Sequence, residues 1–153
     1  MSALAETAGL APALQWTDDW LLGHDGMDAC HQECATLLGQ LLAAEDAQLA
    51  TVFDRFIAHL TAHFEAEAEM MRRTDFPPRQ CHLDEHAAVM SSVLEVRQRL
   101  ADGNRPLVRA LARELGAWFP AHTQHLDSAL AHWVSRHRLG GKPVVLKRRA
   151  ALG

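Results

Sequence analysis

Ten histidines and no tyrosine in a chain of 153 residues call for an explanation position by position. Two pairs have spacing that can do chemistry. Within AHLTAHFEAEAEMMRR, residues 58 to 73, His63 and Glu67 are four apart, and His82 and His86 repeat the interval. On a helix, that spacing projects both side chains from one face, and such a pair can grip a metal ion. His31, His122 and Asp127 are further candidates. All seven fall on or beside lines of apolar residues, where a helix presents its buried seam. Burying one such polar group unpartnered costs on the order of 2 kcal/mol or more. Seven would overwhelm a domain whose whole stability is roughly 5–15 kcal/mol. They must satisfy one another or hold a common guest.

Five imidazoles and two carboxylates are too many for one tetrahedral zinc and suit two ions. Carboxylates can bridge two metals and imidazoles cannot. With Glu67, Asp127 and a solvent-derived oxygen as bridges, an ion with three histidines has six ligands. An ion with two has five, which leaves one position open. Imidazole suits iron, copper, zinc and nickel alike, so ligand type does not choose the metal.

The elements that must position these groups are helices, read from periodicity and breakers. The first runs from about Gly26 to Ala44, with Met27, His31, Cys34, Leu38 and Leu41 in its stripe. The second begins near Asp46, an expected N-cap, and runs to about Thr74. Its stripe is Phe53, Phe56, Leu60, His63, Glu67 and Met70. Phe76-Pro77-Pro78 breaks it. The third, after those prolines, runs to about Asp102 with His82, His86, Val89, Val93, Val96 and Leu100 in line, and Gly103 is a natural C′ residue. Asn104 caps the fourth, which runs to about Arg138 with Leu107, Leu111, Leu115, Trp118 and His122 in line. Four such helices joined by short loops make an all-α, up-down-up-down antiparallel bundle. Residues 1–15 are expected to be a flexible N-terminal segment, 16–138 the bundle with its arm, and 139–153 a basic tail. Trp16 and Trp20 are expected to pin the arm across the bundle.

One interval is awkward. His122 and Asp127 are five apart, about 140° around an ideal helix at about 100° per residue. A π-bulge would bring both to one centre, and Pro120 already removes one helical hydrogen bond nearby. The shift also aligns Asp127 with Leu130 and Val134. The competing choice makes His125 the ligand. On spacing alone both stay open.

These residues resemble the hemerythrin family in its bacterial single-domain form, over roughly residues 16 to 131. The likeness is carried by Trp20 and Gly23, by MDACH ending in His31, and by HFEAEAEMM, HLDEH and HTQHLD. The resemblance implies a non-haem di-iron centre and favours Asp127 over His125. His82, His86 and His122 would bind one iron, His31 and His63 the other, with Glu67 and Asp127 bridging. It further implies O2 binding at the open position, for carriage, storage or delivery. An O2, nitric oxide or redox sensor is the alternative, as is a peroxidase or nitric oxide reductase. The positions matching the family's oxygen pocket are Cys34, Phe64, Trp118, Phe119 and Thr123. Cys34 and Thr123 stand where the family usually has aliphatic side chains, and Ala68 stands where a second acid is common. His24, His59, His125, His132 and His137 are read as non-ligands, with His59 facing solvent.

Bulk properties fit a cytoplasmic protein. No apolar run approaches the roughly 18 residues of a membrane span, and the N-terminus has no basic signal region. Three cysteines, Cys30, Cys34 and Cys81, make a disulfide framework improbable. Net charge is −4, yet residues 136–153 carry six Lys/Arg and no acid, so the remainder holds nine bases against nineteen acids. That tail is expected to dock on its own domain, with a protein or anionic partner as the alternative; no nucleic acid partner is expected.

Overall fold

The computed structural model describes residues 16–139 and 145–148. The expected flexible segment 1–15 lies outside the described residues, as do positions 140–144 and 149–153 of the tail. Four long helical rods carry the fold. They are α1 (Asp25–Ala43), α2 (Leu49–Arg73), α3 (Arg79–Ala101) and a fourth rod built of α4 (Arg105–His122), a π-helical turn (Thr123–Asp127) and α5 (Ser128–Leu139). Among the described residues there is no strand. α1 packs on α2 and α4, and α3 packs on the same two. With connections of a few residues, this closes the up-down-up-down bundle. No described helix is long and apolar enough to cross a membrane.

Local chemistry sets the boundaries. The ring of His24 accepts a hydrogen bond from the Met27 N–H at 3.0 Å, so α1 begins one residue earlier than Gly26. Asp28 accepts from the backbone N–H groups of Leu22 (2.8 Å) and Gly23 (3.1 Å), tying the arm to α1. Gly23 has φ +82°, a region that favours glycine. Asp46 is not the N-cap of α2. It opens a 3-10 turn (Asp46–Gln48), and its carboxylate instead accepts from Arg109 at 2.7 Å. α3 ends in a Schellman motif: Gly103 at φ +90° donates to Leu100 O (2.9 Å) and Asn104 N donates to Arg99 O (3.0 Å). Asn104 then caps α4 by accepting from Leu107 N at 3.2 Å.

The main core runs through Leu38, Leu41, Leu49, Phe53, Phe56, Leu60, Val93, Val108 and Ala112, all nearly inaccessible. The α2 stripe shifts by one position beyond Glu67. Met71, four residues on, is buried, and Met70 is only half-buried. A helix turns slightly less than a full circle in three residues and slightly more in four, so the fourth neighbour takes the seam here. The fourth rod buries Val108, Ala112 and Phe119 beside the expected stripe, a wider face than a single line of leucines. Trp16 meets Trp20 edge-on at 5.6 Å, and Trp20 meets Phe119 at 5.9 Å, so the arm does lie on the bundle. The described part of the tail reaches the same arm: Arg148 donates to Asp18 through its backbone N (3.0 Å) and its Nε (2.6 Å), and Lys147 lies 3.3 Å from Asp19.

Phe53 is fully buried in the main core and belongs to none of the groups around the polar centre. Its replacement by Ala should cost about 3–5 kcal/mol, read as a lower urea midpoint at unchanged slope. A midpoint equal to wild type would show that this layer does not carry the bundle.

Candidate metal centre

Each rod delivers its polar residues to one level. α1 supplies His31, and α2 supplies His63 and Glu67 one turn apart. α3 supplies His82 and His86, and the fourth rod supplies His122 and Asp127. None is more than 4% exposed. The π-helical turn Thr123–Asp127 makes the last pair possible. Ser128 donates to Thr123 O five residues back, and the extra residue in that turn brings Asp127 round to the side of His122. Leu130 and Val134 follow Asp127 into the core, whereas His125 points to the exposed face.

Both carboxylates divide their oxygens. Glu67 Oε1 lies 2.7 Å from His63 Nε2 and 3.3 Å from His31 Nε2, while its Oε2 lies 3.2 Å from His82 Nε2 and 3.4 Å from His86 Nε2. Asp127 Oδ2 lies 2.9 Å from His31 Nε2, while its Oδ1 lies 2.8 Å from His82 Nε2 and 3.1 Å from His122 Nε2. His86 Nε2 and His122 Nε2 are 3.0 Å apart. The donor atoms therefore form two groups, each within 4.8 Å of one another: Glu67, His82, His86, His122 and Asp127, and His31, His63, Glu67 and Asp127. Glu67 and Asp127 belong to both.

These contacts fit a metal better than they fit one another. Neither Asp127 oxygen accepts a well-aligned hydrogen bond, although three imidazole nitrogens lie within 3.1 Å, and Glu67 Oε2 and His82 Nε2 are likewise buried without one. Buried polar atoms without partners are rare enough to need a reason. Nitrogen and oxygen ligands bind such ions at about 2.0–2.2 Å. Two donors at right angles around one ion are then about 3 Å apart, the spacing seen here.

Protonation follows from the same packing. Burial works against charge on His31 and His82, yet the facing Asp127 and Glu67 carboxylates outweigh it and push both pKa values up to about 9. His86 faces only Glu67, at 3.4 Å, and burial outweighs it and pushes the pKa down to about 3, which keeps the ring neutral, the metal-binding form. Burial would raise Glu67 and Asp127, but the surrounding imidazoles hold both below the usual carboxylate range.

Aromatic side chains line both groups. Phe119 meets His31 edge-on at 5.9 Å, and Phe64 lies 5.7 Å from the His63 ring and stacks on His86 at 3.7 Å. Cys34 is buried, and its sulfur shares a group with His59 and His63. Burial pushes the Cys34 thiol pKa up, keeping it protonated. Thr123 is fully buried with its hydroxyl unpartnered among the described residues. Trp118 meets Phe64 edge-on at 6.4 Å and stacks on His122 at 4.4 Å. His59 does not face solvent freely. It is half-buried, with Nε2 3.1 Å from Cys30 O, because the α1–α2 contact closes over it. The spacing argument missed Glu85, whose Oε1 accepts from His122 Nδ1 at 2.9 Å and from Trp118 Nε1 at 2.7 Å. Burial opposes its charge, but those two donors win and lower its pKa. Only its place directly before His86 could have hinted at this.

A four-helix bundle with imidazoles and shared carboxylates converging at one level defines a non-haem metal-binding protein of the bundle class. Comparison with known families and proteins makes this particular. Residues 22–137 match the hemerythrin HHE cation binding domain. A bacteriohemerythrin of Ralstonia nicotianae is 38% identical over 125 residues, covering 82% of this chain and 91% of that protein. Another, of Aquifex aeolicus, is 31% identical over 116 residues (72% and 88%), and one of Stenotrophomonas maltophilia is 28% identical over 128 (81% and 83%). No solved structure matches at a significant level. The chain belongs to the hemerythrin family and is a non-haem iron-binding protein.

In the metal-free protein, the raised pKa values of His31 and His82 make folding depend on pH. Their contribution is fully present below the ordinary histidine value of 6.5 and is lost as pH rises through about 9. The urea midpoint of metal-free protein should therefore be lower at pH 9.5 than at pH 6. Equal midpoints would show that the two imidazoles are not held as cations by Asp127 and Glu67.

Proposed function

We propose that this protein holds two iron ions and binds O2 reversibly at one of them, for carriage, storage or delivery. The observation that carries the proposal is the division of each shared carboxylate, with one oxygen toward His31 and His63 and the other toward His82, His86 and His122. On this reading Glu67 and Asp127 would each serve both ions. His82, His86 and His122 would hold one, and His31 and His63 would hold the other with fewer protein ligands. When bound, the ferrous pair supplies electrons and an open coordination position for O2. The chain's own residues do the rest. Five neutral nitrogens and two carboxylates give the pair less negative charge than a carboxylate-rich centre would, which favours binding over cleavage of the O–O bond. Phe119 and Phe64 keep water from the His31–His63 side. Cys34, with its proton retained, adds no charge there. Trp118 joins that wall through its edge contact with Phe64 and also stacks on His122.

The test is iron analysis with visible spectra on deoxygenated and then aired protein. Two irons per chain and a band that returns over repeated cycles are expected. Steady consumption of peroxide or nitric oxide with added reductant, without a stable oxygenated form, would replace binding by catalysis. Glu67→Ala removes a ligand that both groups share and should abolish iron loading. Retention of both irons in that variant would refute the bridging role.

A further inference from the structure

Of the five imidazoles, His122 alone has its outward nitrogen held by a carboxylate. Nδ1 of His31, His63, His82 and His86 is buried without a partner among the described residues, whereas His122 Nδ1 lies 2.9 Å from Glu85 Oε1. The same oxygen accepts from Trp118 Nε1 at 2.7 Å, and the Trp118 indole stacks over the His122 ring at 4.4 Å and 27°. An indole nitrogen can only donate, and an ionised carboxylate can only accept. Nδ1 of His122 must therefore carry a hydrogen and give it to Glu85, which leaves the lone pair of Nε2 facing the centre. In the other four rings no described group holds Nδ1 in this way.

We propose that Glu85 is a positioning residue that fixes the tautomer of His122 and raises its basicity, and so tunes the iron of the three-histidine group. The inference rests on the di-iron reading above. A carboxylate on the far nitrogen orients a metal-bound imidazole and makes it a stronger donor. A stronger donor favours the more positively charged ferric state, so Glu85 holds the potential of that iron down. Its position suits the role. Glu85 is partly exposed, in the wall of an open cleft of about 380 Å³ that Val89, Leu111, Leu115 and Trp118 also line, so its charge is solvated on one side and bonded on the other. The two sides of the centre then differ twice, in histidine count and in the charge behind one histidine.

Both hydrogen bonds land on Oε1, so Glu85→Gln can keep them through its amide oxygen while removing the charge. Glu85→Ala removes both. Full-length protein loaded with iron is titrated for its midpoint potential, and its iron affinity is read by competition with a ferrous chelator. Glu85→Gln should load two irons and shift the potential upward; a tenfold loss of ferric over ferrous preference reads as 59 mV for one electron. Glu85→Ala should shift it and also lose 10- to 100-fold in iron affinity. Glu114→Gln removes an acid from the same cleft that touches no histidine and should leave both readings at wild type. Wild-type potential and affinity in both Glu85 variants would overturn the proposal, as would an equal shift from Glu114→Gln. A wild-type chain that fails to take up two irons defeats the di-iron reading itself, and that is measured before any variant.

Discussion

Two buried carboxylates placed between five imidazoles are the constraint to which the rest of the fold answers. A charge removed from water costs several kcal/mol, and attraction repays it only where geometry is good on every side. Glu67 and Asp127 are surrounded by nitrogens at 2.7–3.4 Å but lack well-aligned hydrogen bonds at three of their four oxygens. The protein cannot be at its most favourable arrangement with these groups alone. A pair of cations at the centre would turn the same atoms from a liability into ligands, and binding free energy would then add to the stability of the bundle. Apolar core packs on both sides of that level, with Leu38, Leu41, Phe53 and Phe56 on one side and Met27, Met71, Leu130 and Val134 on the other, and four long rods are needed to carry both.

Most of this could be seen in the sequence because helical spacing and metal chemistry make the same demand. Intervals of four place His63 with Glu67 and His82 with His86, and one apolar stripe per helix fixes the level. The interval of five between His122 and Asp127 was legible as a problem, and the π-helical turn at Thr123–Asp127 is its physical answer. Met70 and Met71 show the limit at the other end of α2: a stripe extrapolated from spacing cannot tell which neighbour the seam takes. Asp46 shows another, since a side chain suited to capping was captured by Arg109, 63 residues away in sequence.

What the sequence hid was contact across helices. Glu85 lies beside His86, yet bonds to His122 from 37 residues away. No periodicity reports such a pairing, because Glu85 belongs neither to the buried stripe nor to the open face of α3. His59 was hidden for the same reason. Its half-burial depends on how closely α1 passes, not on its own helix.

The arm and the tail extend this logic to the surface. Trp20 leans on Phe119 and Phe119 on His31, so the ring beside His31 is braced by a residue outside the four rods. Asp18, two residues before Trp20, is held by Arg148, which keeps the Asp18 pKa near 2. Ion pairs at the surface add little to stability, too little to fix the arm by themselves. The aromatic chain Trp16–Trp20–Phe119 therefore sets the position of the arm, and the charges order what the rings have already placed. Lys147 and Arg148 of the basic tail thus meet the acids of the arm that covers the side of the centre carrying His31.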